Sequence, residues 1–145
     1  MDPKQLLNLD FLGRPFSKEM FQIKAKEVGL PPGTLIHVGK QRTETPVLSL
    51  IDYDQEHLES KHGISLADAG VCKETSSVSW LNLSGIHEIE IITQLGAGFD
   101  IHSLTLEDIL NTQHRPKVEE MEGYSLIILK MFFFDEETQV IETEQ

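Results

Sequence analysis

Between Asp100 and Glu120 the chain reads D-I-H-S-L-T-L-E-D-I-L-N-T-Q-H-R-P-K-V-E-E. That run admits little besides a short helix, stopped by a proline and followed by a strand. Ser103 is placed to cap the helix, its hydroxyl taking an otherwise unpaired amide of the first turn. Leu106, Ile109 and Leu110 then recur at i, i+3, i+4 and line one apolar face. At about 100° per residue, Asp108 lies roughly 200° round from Leu106, turned away from that face, with Glu107 on its flank. The helix has to stop ahead of Pro116, because proline disfavours helical geometry at Arg115. Lys117-Val118-Glu119 opens an extended segment. Two adjacent acids on a short helix are ordinarily its wetted side, and the helix dipole favours acids in a first turn for no functional reason. Spacing alone leaves that account open beside a metal or partner site.

Composition narrows the class. A chain of 145 residues suits one domain with a real core. Its 39% hydrophobic and 25% charged residues are ordinary for a soluble globular protein. The net charge of -12 argues against a nucleic-acid binder, which needs a basic face. It suits a surface that attracts cations. Cys72 is the one cysteine, so neither a disulfide framework nor a cysteine zinc cluster is available. Met1–Lys24 lacks the apolar core of a signal peptide. The longest nearly apolar run, Leu126–Phe134, is interrupted by Lys130 and falls far short of the roughly 20 residues that span a bilayer.

Taken in order, residues 1–28 mix charged, polar and scattered large apolar residues, which predicts a loosely ordered arm. The domain proper is expected over 29–145. Pro31-Pro32-Gly33 turns into an alternating strand over Thr34–Val38, and Val47–Tyr53 reads as a second strand. Asp54 is placed to cap a helix from Gln55 to about Lys61. Ser65–Gly70 suggests one more helical turn, and Ser79–Ser84 a third strand. Ile89, Ile92 and Leu95 predict an amphipathic helix from about His87, ended by Gly96-Ala97-Gly98. A hairpin turning at Glu122-Gly123 leads into Tyr124–Phe134, whose near-continuous apolarity predicts a strand covered on both faces. Lys130 within it needs a carboxylate or an exit to solvent. Gln139–Gln145 begins another strand. This alternation of strands and helices gives an α/β class.

No catalytic constellation emerges. There is no nucleophile with a signalled base, no glycine-rich phosphate loop after a strand and no zinc spacing. His87-Glu88 lacks the second histidine of a zinc-protease helix, since Ile91 stands in its place. The chain reads as a non-enzyme.

Four ordered segments carry a resemblance. L-E-D-I-L-N followed by H-R-P-K-V-E resembles the signature of the cytoplasmic domain of the CorA magnesium transporter family. G-L-P-P-G-T-L (Gly29–Leu35), W-L-N-L-S-G-I-H (Trp80–His87) and Y-S-L-I-I-L-K-M-F (Tyr124–Phe132) match in the same sequential order. The resemblance implies a sandwich built on a mixed central sheet of about five or six strands, with helices packed on its faces. It also implies that the chain is a fragment, continued after Glu142–Gln145 by further strands, a stalk helix and two transmembrane helices. A sheet edge near Val140-Ile141 would then stand unpaired.

Members of the family are similar to homo-pentameric funnels on the cytoplasmic face of the inner membrane. Their cytoplasmic domains bind magnesium between subunits and hold the pore closed while the ion is plentiful. Glu107 and Asp108 match the regulatory metal ligands, so the implied ion is magnesium, with cobalt or nickel alongside it. The partner acids lie on segments absent from this chain, which is therefore expected to bind the ion weakly by itself. Two other readings stay open: a zinc transporter of the same architecture, and a non-transport α/β interaction module.

Overall fold

The computed structural model describes residues 30–145, so the arm expected over 1–28 lies outside the described residues. The elements run β1 (Val47–Tyr53), β2 (Leu58–His62), α1 (Leu66–Val71), β3 (Val78–Ser84), α2 (Ile89–Gly98) and α3 (Ser103–Leu110). They continue as β4 (Lys117–Met121), β5 (Tyr124–Ile128), β6 (Met131–Asp135) and β7 (Val140–Glu144). The described residues fall into two compact units, 30–114 and Arg115–Gln145.

Helix and strand are mixed as expected, but the strands among the described residues do not share one central sheet. They form three small antiparallel sheets, ordered β2-β1-β3, β4-β5 and β6-β7. Short links account for the β1-β2, β4-β5 and β6-β7 pairs, because two strands joined by a few residues pair antiparallel when they pair at all. Asp54 illustrates the point. Its Oδ1 accepts the backbone N–H groups of Glu56 and His57, each at 2.8 Å. That side chain closes a turn between two strands where the sequence predicted the start of a helix. The expected helix over Gln55–Lys61 is thus replaced by the turn and β2.

In the first unit the core gathers where β3 meets the helices. Leu48 and Leu50 of β1 lie opposite Leu83 and Leu81 of β3. Leu83 packs on a cluster of Ile92 from α2 and Leu106 and Leu110 from α3. Ser65 caps α1 in a two-way exchange with Asp68, each side chain taking the other's backbone N–H. Helix α2 runs on through Gly96-Ala97-Gly98, where the sequence predicted its end. A Cβ on Gly96 would collide with the Leu106 side chain. That glycine therefore serves the close crossing of α2 and α3, not the stop. The stop comes at Asp100, which adopts φ 56°. Lys73 holds it there, donating from Nζ to the Gly98 carbonyl at 2.9 Å and to Asp100 Oδ2 at 2.7 Å.

In the second unit, β4 and β5 meet at Glu122-Gly123, with Gly123 at φ 87° as the tight turn requires. The single covered strand expected over Tyr124–Phe134 divides at Leu129-Lys130 into β5 and β6, which pair with different partners. Leu126 and Ile128 are buried, but Ile127, Met131 and Phe132 are exposed. A two-stranded ribbon hides one side only, and burial of the lysine ammonium at the break already lowers the pKa of Lys130. A doubly covered strand would desolvate that cation further. β7 forms where the last strand was expected, with Ile141 paired to Phe134 and buried.

Candidate metal site

Helix α3 is anchored before its acids come into play. His102, not Ser103, takes the cap: its Nδ1 accepts the Leu104 N–H at 3.2 Å. Leu106 and Leu110 turn into the core, as the helical spacing predicts. The segment entering from residue 30 is laid along the same helix. Gly33 N–H donates to Glu107 Oε2 at 2.6 Å. Further on, Val38 N–H donates to the Leu110 carbonyl and Thr112 N–H to the Val38 carbonyl, both at 2.9 Å. The strand expected over Thr34–Val38 is accordingly reduced to one parallel bridge, Val38 with Asn111, because its partner is a helix end with few free backbone groups.

The acids do not sit where the dipole would favour them. The first turn of α3 holds no acidic residue, and Glu107 and Asp108 occupy its second half. Near the C-terminal end a carboxylate is disfavoured by about 0.3–1 kcal/mol. Each acid there needs a donor or a cation to offset that cost. Glu107 has the Gly33 amide. Asp108 has His114, whose Nε2 lies 2.8 Å from Oδ1. The Asp108 side chain is 23% exposed and that of His114 is 30% exposed, so water reaches both.

Sequence spacing singles out both acids but neither partner. Gly33 is 74 positions from Glu107, a separation no local pattern bridges. His114 lies beyond the end of α3, where helical periodicity no longer says what faces Asp108. Its presence in the H-R-P-K segment is the available signal, and it does not assign a role.

A hard divalent ion such as magnesium is held by one or two carboxylates and keeps several waters. Asp108 offers one such group with partial solvent access, and it fits that mode. Among the described residues no three His, Cys, Asp or Glu side chains gather into a metal cage. Elsewhere in the unit the imidazoles of His37 and His87 meet edge to face, with ring centres 6.5 Å apart. Burial, then the neighbouring His87, lowers the pKa of His37.

Among the described residues no helix is long and apolar enough to cross a membrane. No family model matches the chain. The chain is similar to the cobalt/magnesium transport protein CorA of Thermotoga maritima, at 38% identity over 124 residues. That alignment covers 86% of this chain and 35% of the relative, so the chain spans only part of that protein's length.

Proposed function

We propose that the chain belongs to the CorA family and forms a regulatory domain of a magnesium and cobalt transporter. In this reading the domain faces the cytoplasm at the membrane and senses the divalent ion through Asp108 and Glu107 at contacts between subunits of a homo-pentamer. The observation that carries it is the likeness to a relative named as a cobalt/magnesium transport protein. Supporting it, Asp108 lies where its own helix disfavours a carboxylate, yet solvent still reaches it.

The physics of such a sensor is short-range charge. Two carboxylates facing each other about 4 Å apart repel by roughly 4 kcal/mol at an effective dielectric near 20. A divalent ion bound between them supplies attraction in place of that repulsion. Asp108 would hold the ion, while Glu107 ties the Gly33 turn to α3 and so couples the site to the segment entering it.

The test is ion flux through the transporter that carries this chain, measured against internal magnesium. Asp108→Asn should relieve magnesium inhibition. Glu107→Gln, which spares an acceptor for the Gly33 amide, should relieve it less. Unchanged inhibition in the double variant removes both residues from the role.

A further inference from the structure

Asp108 and His114 present two different donor atoms to the same point: a carboxylate oxygen and an imidazole nitrogen, 2.8 Å apart. Neighbouring ligands of an octahedral ion, each bound at about 2.1 Å, stand about 3.0 Å from one another. Oδ1 and Nε2 therefore already have the separation that adjacent ligands need. Their partial exposure leaves room for water on the open side.

We propose that Asp108 and His114 form a mixed carboxylate–imidazole chelate, and that His114 biases the site towards cobalt and nickel over magnesium. This rests on the reading of Asp108 as a divalent-cation ligand and adds the residue that sets which cation is preferred. Magnesium draws on oxygen donors and keeps its waters, so an imidazole adds little to its binding. Nickel and cobalt gain from nitrogen, and the affinity of such a donor set rises from manganese through cobalt to nickel. An imidazole binds such an ion through the lone pair of a ring nitrogen, here Nε2. Glu107 stays outside the chelate, since its Oε2 accepts the Gly33 amide.

The experiment titrates the 145-residue chain with the chlorides of magnesium, manganese, cobalt and nickel. Imidazole proton resonances are followed by NMR in the unaltered chain, His114→Gln and Asp108→Asn. The His114 signals are identified by their loss in His114→Gln. The other five of the six histidines give a background common to all variants. Cobalt at sub-millimolar concentration should broaden the His114 signals selectively. His114→Gln should weaken cobalt and nickel binding at this site by at least about tenfold, the loss typical even of an outer-shell partner. Its magnesium response should change less than about twofold. Glutamine is uncharged and keeps an amide donor for Asp108, and an unchanged circular dichroism spectrum shows that the fold is kept. Cobalt binding indifferent to His114→Gln overturns the chelate, as do His114 signals untouched by millimolar cobalt. Equal broadening of His114 in Asp108→Asn overturns it too, by removing the carboxylate. Magnesium sensing is read from flux in the transporter, so the two ideas fail separately.

Discussion

The two faces of the β2-β1-β3 sheet carry similar residues and have different surroundings. On one face, Leu48 and Leu50 lie beside Leu83 and Leu81, and Leu83 packs against α2 and α3. On the other, Ile51 lies opposite Trp80 and Tyr53 opposite both Val78 and Leu58. Leu50 is 8% exposed, whereas Trp80 is 63% exposed. Alternation places residues on a face but does not say which face will be covered. That is settled by where the helices pack.

Leu50→Ala should show the largest effect on this comparison. Removing a buried leucine side chain costs about 2–5 kcal/mol, visible as a lower denaturant midpoint at an unchanged slope. If instead the loss is below about 0.5 kcal/mol, the helix-side face is not the core.

A smaller effect is expected at the wet end of the same face, where Ser79 Oγ donates to Asp52 Oδ2 at 2.5 Å. That hydrogen bond is the first cause of the lowered Asp52 pKa, with a second from Ser77. A depressed folded pKa contributes stability that is present above the unfolded value, near 3.8, and is lost as pH falls through the folded one. Ser79→Ala should therefore raise the Asp52 pKa and flatten the acid limb of the stability profile. A carboxyl titration by NMR that finds Asp52 unmoved would detach it from Ser79.

Trp80→Ser should change the stability of the chain least, within about 0.5 kcal/mol, because the ring is exposed on the outer face. A loss approaching that of Leu50→Ala would mean that the outer face is covered in solution, and would end the contrast between the faces.

Legibility tracks the range of the forces involved. The apolar stripe of α3, the turn at Glu122-Gly123 and the strands over Val47–Tyr53 and Ser79–Ser84 can be read because each depends on neighbours in sequence. Asp54 is ambiguous because the same side chain can cap a helix or close a turn, and the fate of residues 55–61 decides between them. The Leu126–Phe134 run reads as one strand because apolarity marks burial but not partners. Two hairpins satisfy the same residues, with the break beside Lys130. At the candidate site, the sequence identifies Glu107 and Asp108 but not that one is held by Gly33 and the other by His114.

By itself the sequence determined local shape: which stretches coil or extend, which side of α3 is apolar, and that Asp108 is turned away from that side with Glu107 on its flank. It also carried the likeness to the cobalt/magnesium transport protein CorA of Thermotoga maritima, which is a matter of residues in order. Only the tertiary structure decided how the strands group into sheets, which sheet face the helices cover, and that an imidazole stands 2.8 Å from Asp108. The physical reason is one of reach. Backbone preferences act over a few residues, while burial and ion pairing depend on what the folded chain brings back from a distance.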